Sequence, residues 1–139
     1  MRSALAVWQA WNVDAFLREA YESGVILAGM SAGAMCWFDY GIAEAHGRSP
    51  YSPPRCLGIV RGACAVHFSS EPQREVHMRA FLASGGADHA IGIDDGAAAL
   101  FEDGRFAGGY RWMPGARVRV FRRSNEAVEE ECLRVCDLV

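Results

Sequence analysis

The pattern with the clearest chemical meaning is Gly-Met-Ser-Ala-Gly at residues 29–33, between an apolar run at 25–28 and a helical stretch. In a G-x-S-x-G turn between a strand and a helix, the serine hydroxyl is exposed at the end of the strand, where it can act as a nucleophile. We therefore take Ser31 as a candidate nucleophile. The N–H of Ala32 would then face the oxyanion of a tetrahedral intermediate. The same pattern also fits a glycine-rich turn that cradles a phosphate or binds nothing.

A serine nucleophile needs a general base, and the base needs an acid that orients it. Among the four histidines, His67 is the one that ends an apolar strand. Active sites of α/β proteins gather where strands end and loops leave the sheet. Asp94 and Asp95 follow the next apolar strand, although Asp-Asp-Gly is also an ordinary turn sequence. One edge of one sheet could thus bring Ser31, His67 and Asp95 together.

The remaining histidines have less distinctive settings. We expect His77 to be solvated in mid-helix and His89 to lie in a surface turn, whereas His46 sits in a loop rich in glycine, proline and serine. No H-E-x-x-H motif, zinc-type cysteine and histidine spacing, Walker A motif or G-x-G-x-x-G pattern occurs. We therefore predict neither a metal nor a cofactor.

The composition excludes several classes of protein. The chain has 139 residues, of which 51% are hydrophobic and 22% charged, so we expect one globular domain. A net charge of -3, with scattered arginines, gives no basic field for nucleic acid or an anionic membrane. No apolar run is long enough to span a bilayer. Five cysteines without a C-x-x-C pair predict a reduced, cytoplasmic protein.

The elements that must position these residues alternate between helices and strands. Helical spacing covers residues 3–23 and 71–83, while strands are predicted at 25–28, 57–60, 63–68, 90–94, 97–101, 106–110 and 118–122. The turn at 102–105 predicts a hairpin between two of these strands, and the alternation at 118–122 predicts an exposed edge strand. The pattern indicates an α/β fold with an antiparallel meander near the C-terminus.

On three segments the sequence resembles the peptidase E / cyanophycinase family of serine peptidases. The segments are residues 25–34, Leu57-Gly58 leading to His67-Phe68, and residues 94–98. The order serine, histidine, acid differs from that of α/β-hydrolases, in which the acid precedes the histidine. The resemblance reaches about Val120. It implies a flavodoxin-like, mainly parallel sheet with helices on both faces, as in class I glutamine amidotransferases.

The resemblance also implies the roles of the residues. Ser31 would attack the scissile carbonyl of a small peptide, His67 would transfer the proton, and Asp95 would hold the imidazole. In peptidase E proper, a basic residue holds the side chain of an N-terminal aspartate, and Arg74 is the candidate for this substrate-binding role here. Residues 69–74 differ from that enzyme, so specificity for Asp-X dipeptides is a hypothesis.

Compared with the family, about a third of the usual chain has no counterpart, and this part is N-terminal. It would supply the first strands of the sheet and a glycine-rich turn that completes the oxyanion hole. We expect an exposed sheet edge, which an upstream segment, a second copy or another polypeptide would cover. Residues 1–123 would form the truncated domain, and residues 124–139 a solvated C-terminal extension.

Two alternatives accompany the serine peptidase. The first is a catalytically inactive or incomplete fragment of such an enzyme, an α/β module that binds a partner through its exposed edge. The second is a cysteine-dependent hydrolase, because relatives of the fold use a cysteine nucleophile. Cys36, however, is expected within the helix that follows the turn, away from its tip.

Overall fold

The computed structural model describes residues 1–43, 52–125 and 127–138. These residues form four helices: α1 (Arg2–Ala10), α2 (Val13–Glu22), α3 (Ala32–Met35) and α4 (Gln73–Ala83). They also form eight strands: β1 (Phe38–Gly41), β2 (Val60–Val66), β3 (His89–Ile93), β4 (Ala97–Glu102), β5 (Arg105–Arg111), β6 (Val118–Arg123), β7 (Val128–Cys132) and β8 (Val135–Asp137). The alternation of helices and strands agrees with the predicted α/β class.

The strands form two sheets. A five-stranded sheet has the order β1-β2-β3-β6-β7, and a three-stranded sheet has the order β4-β5-β8. Strands β1, β2 and β3 are parallel, but β6 runs antiparallel to β3, and β7 antiparallel to β6. The larger sheet is therefore mixed rather than mainly parallel. A hairpin, not a helix, separates β3 from β6, so no helical crossover returns the chain in the parallel direction.

Side chains alternate between the two faces of the larger sheet. On β2, Cys64 and Val66 belong to one buried cluster, and Ala63 and Ala65 to the other. Helix α4 covers the second cluster, whereas α3 and the small sheet cover the first. Both faces of the larger sheet are thus covered, as expected. Helices were expected on both faces, but one of them is covered by the small sheet as well as by α3.

Two predicted strands need correction. Residues 25–28 belong to no helix and pair with no strand in the described part of the chain, and Ile26 is 89% exposed. Their composition suits a buried strand, but a strand exists only where a neighbour accepts its backbone hydrogen bonds. Residues 57–59 lie before β2 and are not part of it. Their N–H groups donate hydrogen bonds to the carbonyl groups of residues 36–38. Only Val60 of that predicted strand belongs to β2.

The C-terminal part also differs from the prediction. Strand β6 lies between β3 and β7 and is largely buried, so residues 118–122 are not an edge strand. The stretch expected as a solvated extension is mostly exposed, but it also adds β7 to the larger sheet and β8 to the smaller one. Arg79 on α4 ties β7 down by hydrogen bonds to the Val128 carbonyl oxygen and the Glu130 carboxylate. The predicted hairpin, in contrast, is confirmed as β4 and β5.

Candidate active site

Ser31 lies at the tip of a tight turn that leads into α3. Its backbone has φ 52° and ψ -124°, a conformation that residues with a side chain rarely adopt. The turn also brings Gly29 so close to Gly33 that a Cβ on Gly29 would lie 2.1 Å from the Gly33 carbonyl oxygen. A strained serine beside an obligatory glycine is the local geometry that the G-x-S-x-G pattern predicts.

Among the N–H groups of this turn, that of Ala32, the residue after Ser31, is left without a backbone partner. The N–H groups of residues 33–36 bond to carbonyl groups of residues 30–32. Within the described part of the chain, the N–H of Ala32 donates no backbone hydrogen bond. An unpaired N–H beside a serine hydroxyl is the kind of donor that binds an oxyanion.

His67 follows the last residue of β2 and faces Ser31. Its Nε2 is 3.1 Å from the Oγ of Ser31, which is hydrogen-bond distance. His67 itself has φ 52°, an uncommon value for a residue other than glycine. The N–H of Phe68 donates to the Ile93 carbonyl oxygen at 3.2 Å, which ties this turn to the end of β3.

The predicted acid, Asp95, lies two residues beyond β3. Its Oδ1 is hydrogen-bonded to Nδ1 of His67. With the proton on Nδ1, Nε2 is free to accept the proton of the Ser31 hydroxyl, as a general base must. The His67 and Asp95 side chains are 36% and 41% exposed, so the chain of three groups is open to solvent.

Asp94 has a different environment, which separates the two acid candidates. It is 5% exposed, and one oxygen lies 3.1 Å from a guanidinium nitrogen of the buried Arg119. The other accepts the N–H of Arg117 at 3.0 Å. Asp94 therefore belongs to the interior, and Asp95 to the site.

Sequence reasoning missed a fourth polar group. The hydroxyl of Ser70 donates to Oδ2 of Asp95. This bond is the largest cause, and the bond to His67 the second largest, of a pKa of Asp95 that is lower than the usual value of 3.8. Asp95 therefore stays ionised throughout the neutral range. Ser70 gave no signal in the sequence, because its position depends on the shape of the turn after His67.

Other predicted residues lie elsewhere. Arg74 is only 7% exposed, donates to the Val66 carbonyl oxygen and forms an ion pair with Glu71 at 2.8 Å. Its guanidinium is therefore directed to internal partners and not to solvent, and its substrate-binding role stays a prediction. His89 is the first residue of β3, with Nε2 3.1 Å from the Arg61 carbonyl oxygen. His46 lies outside the described residues.

The alternative nucleophile, Cys36, is buried beneath the turn. Burial raises the pKa of its thiol to about 11, so the thiolate that would attack a carbonyl is scarcely populated near neutral pH. Nowhere in the described ranges do three or more histidine, cysteine or acidic side chains form a group that could hold a metal ion. No helix among the described residues is long and apolar enough to cross a membrane.

Comparison with protein families decides the relationship. The model of peptidase family S51 matches residues 2–108, a range that includes Ser31, His67 and Asp95. The chain belongs to peptidase family S51. The family resemblance predicted from the sequence is thereby confirmed.

A curated protein of similar sequence is the uncharacterized peptidase YgaJ of Bacillus subtilis (strain 168). It is 38% identical over 105 residues, which are 72% of this chain and 43% of the relative. The chain thus matches less than half the length of that relative. Comparison with solved structures gives no match. The S51 match ends within β5, so β6, β7 and β8 lie beyond it.

Proposed function

We propose that this S51 chain is a serine-type peptidase that hydrolyses small peptides through Ser31, His67 and Asp95. The observation that carries the proposal is the continuous contact from Ser31 Oγ to His67 Nε2 and from His67 Nδ1 to Asp95. Membership of a peptidase family supports it independently. We also propose that the parallel strands β1, β2 and β3 correspond to part of the flavodoxin-like sheet that the resemblance implies.

The reaction follows from these positions. Ser31 Oγ attacks the peptide carbonyl carbon while its proton passes to Nε2 of His67, and Ala32 N–H stabilises the oxyanion. His67 then gives the proton to the departing amine, which leaves an acyl-enzyme on Ser31. Water, deprotonated by the same imidazole, releases the acid and restores the serine. Throughout, the Asp95 carboxylate holds the Nδ1 proton and stabilises the imidazolium.

The substrate class is the least constrained part of the proposal. The resemblance favours N-terminal Asp-X dipeptides, but the buried Arg74 does not offer its charge to an acidic side chain. Another cation, or the backbone near Ser31, would have to hold it. We also propose a cytoplasmic location, because all five cysteines are free thiols, as a reducing compartment maintains them.

The test uses the purified 139-residue chain with a fluorophosphonate probe and a panel of Asp-X and neutral dipeptides. We expect the probe to label the wild type and a Ser69→Ala control, in which an exposed serine is removed, but not Ser31→Ala. The wild type and Ser69→Ala should likewise hydrolyse the dipeptides, and Ser31→Ala should not. Labelling that persists in Ser31→Ala would overturn the nucleophile, and a preference for neutral dipeptides would overturn the Asp-X specificity.

The second candidate is a catalytically inactive module that binds a partner. The unpaired apolar segment at 25–28, which precedes the Ser31 turn, favours it. A folded chain that takes up no probe and cleaves no dipeptide would support this alternative.

A further inference from the structure

The two carboxylate oxygens of Asp95 have different partners. Oδ1 is bonded to the imidazole of His67, and Oδ2 accepts the hydroxyl proton of Ser70. We propose that Ser70 is a positioning residue, which fixes the Asp95 carboxylate in the orientation that pairs with His67. This inference rests on the proposed function, because it assigns a further residue to the same site.

Both donors belong to one turn of the chain. Residues 67–70 form the turn between β2 and α4, closed by the Glu71 N–H donating to the His67 carbonyl oxygen at 2.9 Å. The turn thus presents an imidazole and a hydroxyl, three residues apart, to a single carboxylate. Movement of Asp95 away from His67 would also break the bond from Ser70.

The contact matters because Asp95 is open to solvent. A half-exposed carboxylate can rotate and exchange its partners for water, whereas two donors from a fixed turn define the plane of the group. An acid that keeps its plane also keeps the Nδ1 tautomer of His67, which the general base requires. Ser70 itself is exposed, so loss of its hydroxyl opens no cavity in the core.

A structural role for Ser70 is the competing explanation. Its Oγ is also 3.3 Å from the His67 carbonyl oxygen, so the hydroxyl could simply brace the turn. In that case, removing it would lower stability and leave the ionisation of Asp95 unchanged. The two roles therefore predict different results for Ser70→Ala.

The experiment compares Ser70→Ala, Ser70→Thr and the neighbouring control Ser69→Ala. We expect Ser70→Ala to lower kcat and the rate of fluorophosphonate labelling by about tenfold, because a hydrogen bond to a charged group is lost. KM and Tm should stay close to the wild type. Ser70→Thr, which keeps the hydroxyl, should recover most of the rate, and Ser69→Ala should behave like the wild type.

A second readout needs no turnover and separates this inference from the proposed function. The carboxyl carbon of Asp95 is followed by NMR as the pH is lowered, with Asp95→Asn identifying the signal. We expect the pKa of Asp95 to rise in Ser70→Ala and to stay unchanged in Ser69→Ala. Such a rise in a chain that cleaves nothing would support the positioning role while contradicting the peptidase. Equal rates and equal pKa values in Ser70→Ala and Ser69→Ala would overturn the inference.

Discussion

Two adjacent aspartates at the end of β3 carry the same charge but do different work. Asp94 is buried against Arg119, whose guanidinium also lies over the ring of Phe68 at 4.5 Å. Asp95 emerges beside His67. Near a strand end, successive side chains point to opposite sides, so the chain can anchor β3 with one carboxylate and equip the site with the next.

Opposite effects of two amide substitutions test this division. We expect Asp95→Asn to lower kcat by about 10⁴, because an amide can donate to Nδ1 and stabilise the wrong tautomer, with little change in Tm. Asp94→Asn should lower the free energy of unfolding by about 2 kcal/mol, because the buried Arg119 loses its shortest ion pair, at 3.1 Å, and keeps only those with Glu75 and Glu130 at 3.6 Å. Steady-state kinetics and denaturant unfolding measure both. Similar effects of the two variants would contradict the division.

At the scale of elements, the turn before α3 requires a glycine at position 29 but not at position 33. A Cβ on Gly29 would meet backbone atoms of Gly33, which cannot move without opening the turn. A Cβ on Gly33 would have nothing within 4 Å, and Gly33 lies in α3 without a positive φ. The two glycines of the motif therefore differ in what they contribute.

Alanine at each position separates their contributions. We expect Gly29→Ala to shift Ser31 away from His67 and to abolish labelling by the fluorophosphonate, because the clash is with backbone. Gly33→Ala should keep labelling and raise stability by about 0.5–1 kcal/mol, since alanine favours a helix over glycine. Labelling rates and thermal unfolding report the two effects. Loss of labelling in Gly33→Ala alone would reverse the assignment.

At this scale, the sequence predicted the structural features that depend on neighbouring residues. The turn around Ser31, the strand ends before His67 and Asp95, and the β4–β5 hairpin each follow from residues close in sequence. The pairing of β6 with β7 and the lack of a partner for residues 25–28 depend on segments distant in sequence, which composition does not reveal. The burial of Arg74 could not be predicted for a similar reason: its spacing from His67 does not show that its side chain turns inward.

At the scale of the whole molecule, apolar surface is concentrated in the first 30 residues. In α1 only Leu5 is buried and in α2 no residue is, and these two helices pack mainly on each other. Large apolar side chains that remain exposed in this part are Val7, Trp11, Phe16, Val25, Ile26 and Met30. We call these six exposed side chains the N-terminal patch. Exposed apolar side chains in this number, with residues 25–28 paired to no described strand, favour association, either with a second copy or with another polypeptide.

Lysine at an exposed apolar position tests this at low structural cost. Ile26 is the choice within the patch, and Val76, an exposed apolar residue of α4, is the matched control outside it. We expect the wild type to sediment with a mass that rises with concentration, and Ile26→Lys to weaken that association at least tenfold. Burying isoleucine contributes about 1.5–3 kcal/mol, which a lysine forfeits, and tenfold in affinity needs only about 1.4 kcal/mol. Val76→Lys should sediment like the wild type. A wild type that stays monomeric at every concentration would contradict self-association and favour binding of a different polypeptide to the patch. Equal weakening by both variants would mean that the interface lies outside the patch or that the added charge alone causes the effect.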